Sequence, residues 1–204
     1  MNGVGKLVVV LTAITVGSAA SLALVYSATK GPIDDARRKK LVQLLRNVLP
    51  PFDNEIDKSS EDKIAGTDSR GREVRRTVYT AKKDGKDVGR AFQVTARDGY
   101  SGDILVLMGV APDGSLTGVE IVAHKETPGL GDKIAKKAWR ETFKGKSLKS
   151  KLDVKKDGGE IDQFSGATIS PRAVTKAVKE GLKFVEKEYG GEVRSSERGV
   201  RSEG

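Results

Sequence analysis

Charged residues vanish between Leu7 and Thr29, a run of 23 positions rich in Val, Leu, Ala and Ser. As a helix the run would be about 34 Å long at about 1.5 Å per residue, enough to cross a bilayer core of about 30 Å. It also exceeds the roughly 7 to 15 apolar residues of a secretory signal. The pattern therefore predicts an uncleaved transmembrane helix over 7–29, behind a short flank of residues 1–6. Within it Ala13, Gly17 and Ser21 recur every fourth position, a stripe of small side chains against which a neighbouring membrane helix could pack closely.

Past Gly31 and Pro32 the pattern turns amphipathic. Asp34 or Asp35 can cap a juxtamembrane helix, residues 30–51, whose Leu41, Leu44, Leu45 and Val48 share one face, and Pro50 and Pro51 stop it. Residues 73–79 and 88–95 read as strands joined by a turn through Asp84 and Gly85. Residues 104–111 are apolar on both faces and pair with 118–123 across Pro112, Asp113, Gly114 and Ser115. Asp132 can cap a helix carrying Ile134, Ala135, Ala138, Trp139 and Phe143, with Gly145 near its end. Ser170 followed by Pro171 reads as a cap and first-turn proline. Val174, Ala177, Val178, Leu182 and Val185 then continue at helical spacing to Gly190 and Gly191. Residues 52–191 thus form a single α+β domain with an antiparallel sheet and flanking helices. Residues 192–204, polar and without periodicity, read as a disordered tail.

Composition narrows the chemistry. The 204 residues include no Cys and one His, which removes disulfides, thiolate metal sites, Cys nucleophiles and His-based metal centres. Metal ligation is not expected, and any redox chemistry must come from a bound organic cofactor. The net charge of +9 favours anionic lipid, acidic proteins or nucleic acid without choosing among them. With only 5% aromatic residues, the stacking platforms of a nucleic-acid binder are missing.

Two segments are too rich in Gly and small polar residues for core packing to explain. The first runs from Asp162 through Ser165, Gly166, Ala167 and Thr168 to Ser170. A helix start offers unpaired N–H groups and partial positive charge, so a phosphate near Thr168 would be well received. An ordinary turn capping a helix would have the same composition. The second is His124, Lys125, Glu126, Thr127, Pro128, Gly129, Leu130 and Gly131. Pro128 stiffens it and its glycines permit close approach, so a flat ligand could lie against the backbone. A strand-to-helix loop needing two glycines would look the same.

Together, in this order, the segments carry a resemblance. Asp162, Ser165, Gly166, Ala167 and Thr168 resemble the D-x-x-S-G-A-T flavinylation motif of the FMN-binding domain family. Glu126, Thr127, Pro128, Gly129, Leu130 and Gly131 are similar to that family's E-T-P-G-L-G signature. Gly99, Tyr100, Ser101 and Gly102 add to it, and the likeness spans roughly residues 5 to 187, leaving out the tail. With one membrane span ahead of them, these motifs resemble the branch of the family that supplies the G subunit of Rnf ion-translocating electron-transport complexes.

The resemblance implies FMN held covalently through a phosphoester to the Thr168 hydroxyl, installed by a flavin transferase using FAD as donor. Asp162, Ser165, Gly166 and Ala167 would form the loop around that acceptor, while Glu126, Thr127, Pro128, Gly129 and Leu130 would line the isoalloxazine. Where many members have a second Thr two positions after the acceptor, this chain has Ser170. The implied function is electron transfer, with little independent turnover, inside a complex coupling ferredoxin and NAD oxidoreduction to Na⁺ or H⁺ movement. Partners would be the other Rnf-type subunits and the lipid bilayer, with no nucleic acid. The C subunit of the Na⁺-translocating NADH:quinone reductase, usually longer, shares the motif, and a free-standing tethered flavoprotein or sensor is a further alternative.

On topology, charge and resemblance disagree. Lys30, Arg37, Arg38, Lys39 and Lys40 follow the span and only Lys6 precedes it, so the positive-inside rule puts the domain in the cytoplasm. The resemblance puts the flavin domain on the extracytoplasmic side of the cytoplasmic membrane, and it is preferred because assembly and translocation of a whole domain can outweigh a modest bias. Of the remaining residues, His124 reads as structural or as a proton donor to a reduced flavin. Trp139 and Phe143 read as core. The ten Lys and Arg from Lys133 to Lys156 read as a solvated face, or as a surface for anionic lipid or an acidic partner protein.

Overall fold

The computed structural model describes residues 3–67 and 73–200, which fall into two compact units, residues 1–41 and 42–204. The first unit is the greater part of α1 (Gly3–Val48), a helix long and apolar enough to cross a membrane. No break occurs at Gly31 and Pro32. The apolar stretch over 7–29 and the helix expected over 30–51 are one continuous helix with Pro32 inside it, so neither Asp34 nor Asp35 caps a separate start. A proline removes one i to i−4 bond without obliging the rest of a long helix to stop. The hydroxyls in the apolar stretch fold back on their own helix: Thr15 donates to the Leu11 carbonyl at 2.8 Å, Ser21 to Gly17 at 2.9 Å and Thr29 to Val25 at 2.7 Å. An unpaired hydroxyl would be costly in hydrocarbon.

The second unit is built on a five-stranded antiparallel meander of β1 (Ser60–Thr67), β2 (Glu73–Lys83), β3 (Lys86–Ala96), β4 (Ile104–Val110) and β5 (Leu116–Ala123), in that spatial order. The β2–β3 hairpin turns at Asp84 and Gly85, both left-handed at φ 52° and 75°, as a two-residue hairpin loop requires. Phe92, Val94, Val106 and Met108 are buried against α3 (Ile169–Val200), from which Val174, Ala177, Val178, Leu182 and Val185 enter the same core. Gly181 permits this closeness, since a Cβ there would lie 2.3 Å from the Met108 sulfur.

The opposite face of the sheet meets the end of α1, where Leu45 and Val48 are buried. A Cβ on Gly109 would sit 2.1 Å from the Val48 carbonyl oxygen and 2.5 Å from the Thr117 hydroxyl. Strand β4 is therefore covered on both sides, which explains its uninterrupted apolar sequence. Gly109→Ala is expected to cost about 3 kcal/mol by overpacking against backbone that cannot yield, read as a shifted midpoint in denaturant unfolding.

Three further expectations are corrected. The single helix expected from Asp132 is a broken series: a 3-10 turn (Gly131–Ala135), the one-turn α2 (Lys137–Arg140) and a second 3-10 turn (Glu141–Phe143). Its buried residues Ile134, Trp139 and Phe143 fill core positions that one straight helix could not serve together. Gly190 and Gly191 do not end α3, which runs to Val200, so the tail expected to be disordered from Glu192 is helical that far. Each helical Gly costs about 1 kcal/mol relative to Ala, too little to stop a long amphipathic helix whose flanking residues are good helix formers. Residues 201–204 lie outside the described residues.

Candidate functional site

Glu126 organises the site. It is 5% exposed, and both carboxylate oxygens point inward. Oε1 accepts the Ser101 backbone N–H at 3.0 Å, and Oε2 accepts the Ser170 hydroxyl at 2.5 Å. One buried carboxylate thereby ties together the 99–102 turn, the 126–131 loop and the start of α3. Glycine makes the junction possible. A Cβ on Gly131 would lie 2.5 Å from Glu126 Oε2 and 2.6 Å from Ser170 Oγ, and one on Gly99 would lie 2.1 Å from the Gly102 carbonyl oxygen.

Ser170 is therefore not the helix cap its position before Pro171 suggests. Helix α3 begins at Ile169, and the Thr168 carbonyl accepts the Arg172 N–H at 3.1 Å. Thr168 is the residue immediately before the first turn, half-buried, and among the described residues its hydroxyl has no hydrogen-bond partner. The first-turn N–H groups of Ile169 and Ser170 have no intrahelical acceptor, so a free hydroxyl stands beside the positive end of a long helix.

The loop before Thr168 is pinned at several points. Phe164 to Ala167 forms a tight turn, with Ala167 N–H donating to the Phe164 carbonyl at 3.0 Å and Gly166 left-handed at φ 74°. The Trp139 indole donates to the Asp162 carbonyl at 2.7 Å, and its ring lies 5.8 Å from that of Phe164. The Asp162 carboxylate pairs outward with Lys155 at 2.5 Å. Arg172 grips Asp157 through two hydrogen bonds of 2.6 and 2.9 Å and holds that carboxyl below its ordinary range. Trp139→Phe keeps an aromatic ring but removes the indole donor. We expect a loss of about 1 kcal/mol in denaturant unfolding and slower, still complete, flavin loading in a timed fluorescence assay.

On the facing loop, Thr127, Pro128, Gly129 and Leu130 are exposed. The Thr127 carbonyl accepts the Leu130 N–H at 3.1 Å, and Gly129 is left-handed at φ 77°. His124 Nδ1 accepts the Glu126 N–H at 3.2 Å, so the lone histidine braces the loop. Asp132 Oδ1, at the end of this loop, is buried without a hydrogen-bond partner among the described residues.

The apolar exposures fit a flat aromatic ligand. Outside α1, the large hydrophobic side chains left exposed among the described residues are Ile64, Tyr100 at 69%, Leu130 at 46% and Ile169 at 45%. Three of these four belong to the three segments joined by Glu126. Exposed apolar side chains on three joined segments, together with a hydroxyl unpartnered among the described residues at a helix start, match the two ends of a flavin mononucleotide, a ring to be covered and a phosphate to be held. Sequence alone singled out Thr168 and both loops as candidates; it missed the burial of Glu126, the engagement of Ser170 and the tether from Trp139. The one signal for the tether was a lone Trp in a chain poor in aromatics.

Comparison with known proteins bears on the same segments. Residues 99–183 match the family model described as the FMN-binding domain. The chain is 40% identical over 183 residues to the G subunit of an ion-translocating oxidoreductase complex from Aliivibrio fischeri, covering 86% of this chain and 87% of that one. It is 44% identical over 171 residues to the protein of the same name in Pseudomonas aeruginosa, covering 80% and 79%. Among solved structures, NqrC of Shewanella oneidensis superposes with a TM-score of 0.50 at 25% identity, over 73% of this chain and 72% of that one.

Proposed function

Because this chain belongs to the family of G subunits of ion-translocating oxidoreductase complexes, we propose that it is a membrane-anchored electron carrier with FMN bound covalently at Thr168. The observation that carries the reading is the convergence on Glu126 of three segments, each bearing an exposed apolar side chain, the last of which starts beside the Thr168 hydroxyl, unpartnered among the described residues. FMN, once attached, supplies one- and two-electron transfer, while the protein supplies attachment, orientation and electrostatics.

Each residue has a task. The Thr168 Oγ would be the acceptor: it would bond the flavin-side phosphorus of FAD as the pyrophosphate P–O bond breaks, AMP would leave, and the hydroxyl proton would pass to the flavin transferase. Ser165, Gly166 and Ala167 form the turn the transferase recognises, with Asp162 at its base. Thr127, Pro128, Gly129 and Leu130 would line the isoalloxazine, joined by the exposed Tyr100 and Ile169. Glu126 acts one layer below, fixing the distance between that wall and Thr168. On this reading the redox chemistry belongs to the flavin and its partners, so little turnover is expected outside the complex.

The complex would couple ferredoxin and NAD oxidoreduction to Na⁺ or H⁺ movement, with α1 as the lipid-facing anchor and the flavin domain outside the cytoplasm. Identity of about 40% to the Aliivibrio protein, against 25% to NqrC, favours this complex over the quinone reductase. Two measurements test the proposal. Affinity purification from native membranes should bring other redox subunits along; recovery of the chain alone would instead favour a tethered flavoprotein. Alkaline phosphatase fused at Gly204 should be active. Silence there, with an active cytoplasmic reporter at the same place, would reverse the topology.

A further inference from the structure

A cleft of about 820 Å³ opens between α3 and strands β1 to β3, on the α3 side of the sheet. It follows α3 from Ala173 to Lys187, a rise of about 21 Å at about 1.5 Å per residue. Its end at Asp98 and Lys176, an ion pair of 2.5 Å, adjoins the Gly99–Ser101 turn of the flavin site. Six cationic side chains line it, Arg75, Arg76, Arg97, Lys176, Lys183 and Lys187, against the carboxylates of Asp98 and Glu180. Arg75 pairs with Glu73 outside the cleft. Arg76, Lys183 and Lys187 have no carboxylate within ion-pair distance among the described residues.

Arg76 is the least expected of these. Its guanidinium stacks 5.0 Å from the Phe184 ring and 5.9 Å from Phe92, which themselves meet edge to face at 5.3 Å. Burial pushes its pKa below the ordinary arginine range, against the field of Glu180. Arginine keeps its charge even so, and a desolvated charge lacking a close counter-ion is unfavourable until something anionic meets it.

We propose that this cleft receives an acidic segment of a partner protein in the complex, one carboxylate of which meets Arg76 while others meet Lys183 and Lys187. The shape favours polypeptide over a lipid headgroup. A trough of about 21 Å accommodates roughly six residues of extended chain at about 3.3 Å each, whereas a headgroup is compact. The guanidinium fork on an aromatic floor suits a side-chain carboxylate. Such a segment would hold the partner beside the flavin. The inference rests on the reading that the chain works inside a multisubunit complex.

The test uses the assembled complex in native membranes, with a photo-crosslinking amino acid at Glu180, an exposed position of α3 that lines the cleft. The expected product is a crosslink to a peptide, from another protein of the complex, that carries several Asp or Glu residues. Lys183→Glu together with Lys187→Glu, both exposed positions, should reduce that product about tenfold and leave in-gel flavin fluorescence unchanged. A crosslink to lipid or to a peptide without carboxylates, no crosslink, or a yield indifferent to the charge reversal would overturn the assignment. So would a concurrent loss of flavin, which would mark damage to the fold. Recovery of the wild-type chain without other subunits would instead overturn the complex reading, and this inference with it.

Discussion

Thr168→Ala, made in the full chain with the flavin transferase present, is expected to give no fluorescent band on a denaturing gel. The same variant should reach the membrane in normal amount. Its side chain is half-buried and makes no hydrogen bond among the described residues, so truncation should change stability by no more than about 0.5 kcal/mol. Thr168→Ser restores a hydroxyl at the same backbone position and should restore the band. An undiminished band from the alanine variant would remove Thr168 as the attachment point, whatever the state of the fold.

Glu126→Ala should be the more damaging change. The Ser170 hydroxyl loses its acceptor in a buried setting, at about 1 to 3 kcal/mol, and the part-buried Ser101 N–H loses its own at the low end of that range. With the cavity left by the side chain added, we expect a loss of about 4 kcal/mol, seen as a lowered midpoint in denaturant unfolding monitored at Trp139. Flavin loading should fall in proportion, because the two walls of the site are no longer held at one spacing. Glu126→Gln keeps the volume, and its carbonyl can still accept one of the two donors, so its effect should be intermediate. Equal flavin loading for Glu126→Ala and wild type would show that the three segments keep their arrangement without this carboxylate.

Elements carried by strong local chemistry were readable in advance. Asp84 and Gly85 announced the β2–β3 turn, and the periodicity from Val174 to Val185 announced α3. What escaped was set by tertiary contact. Strand β1 has a polar sequence, SEDKIAGT, with a bulge between Ile64 and Gly66. It is held by its ladder to β2 and by bonds such as Thr77 Oγ to Asp62 at 2.8 Å, not by alternation of its own. The break between Ala135 and Lys137 follows from the need to bury Ile134, Trp139 and Phe143 at once. Ser170 looked like a cap because local sequence cannot reveal a carboxylate arriving from 44 positions away. At the site, residue types and spacing singled out the hydroxyl and the two loops as candidates; that Glu126 is buried while Thr127 to Leu130 are exposed was set by the tertiary fold.

The proposal that this chain is a covalent flavin carrier depends on a bond from the Thr168 oxygen to a flavin phosphate. Its sharpest test is intact-mass analysis of the chain purified from its own membranes, followed by peptide mapping. An added mass of one FMN less one water is expected, residing on the peptide that contains Thr168. An unmodified chain, or flavin mapped to any other residue, would be incompatible with that bond.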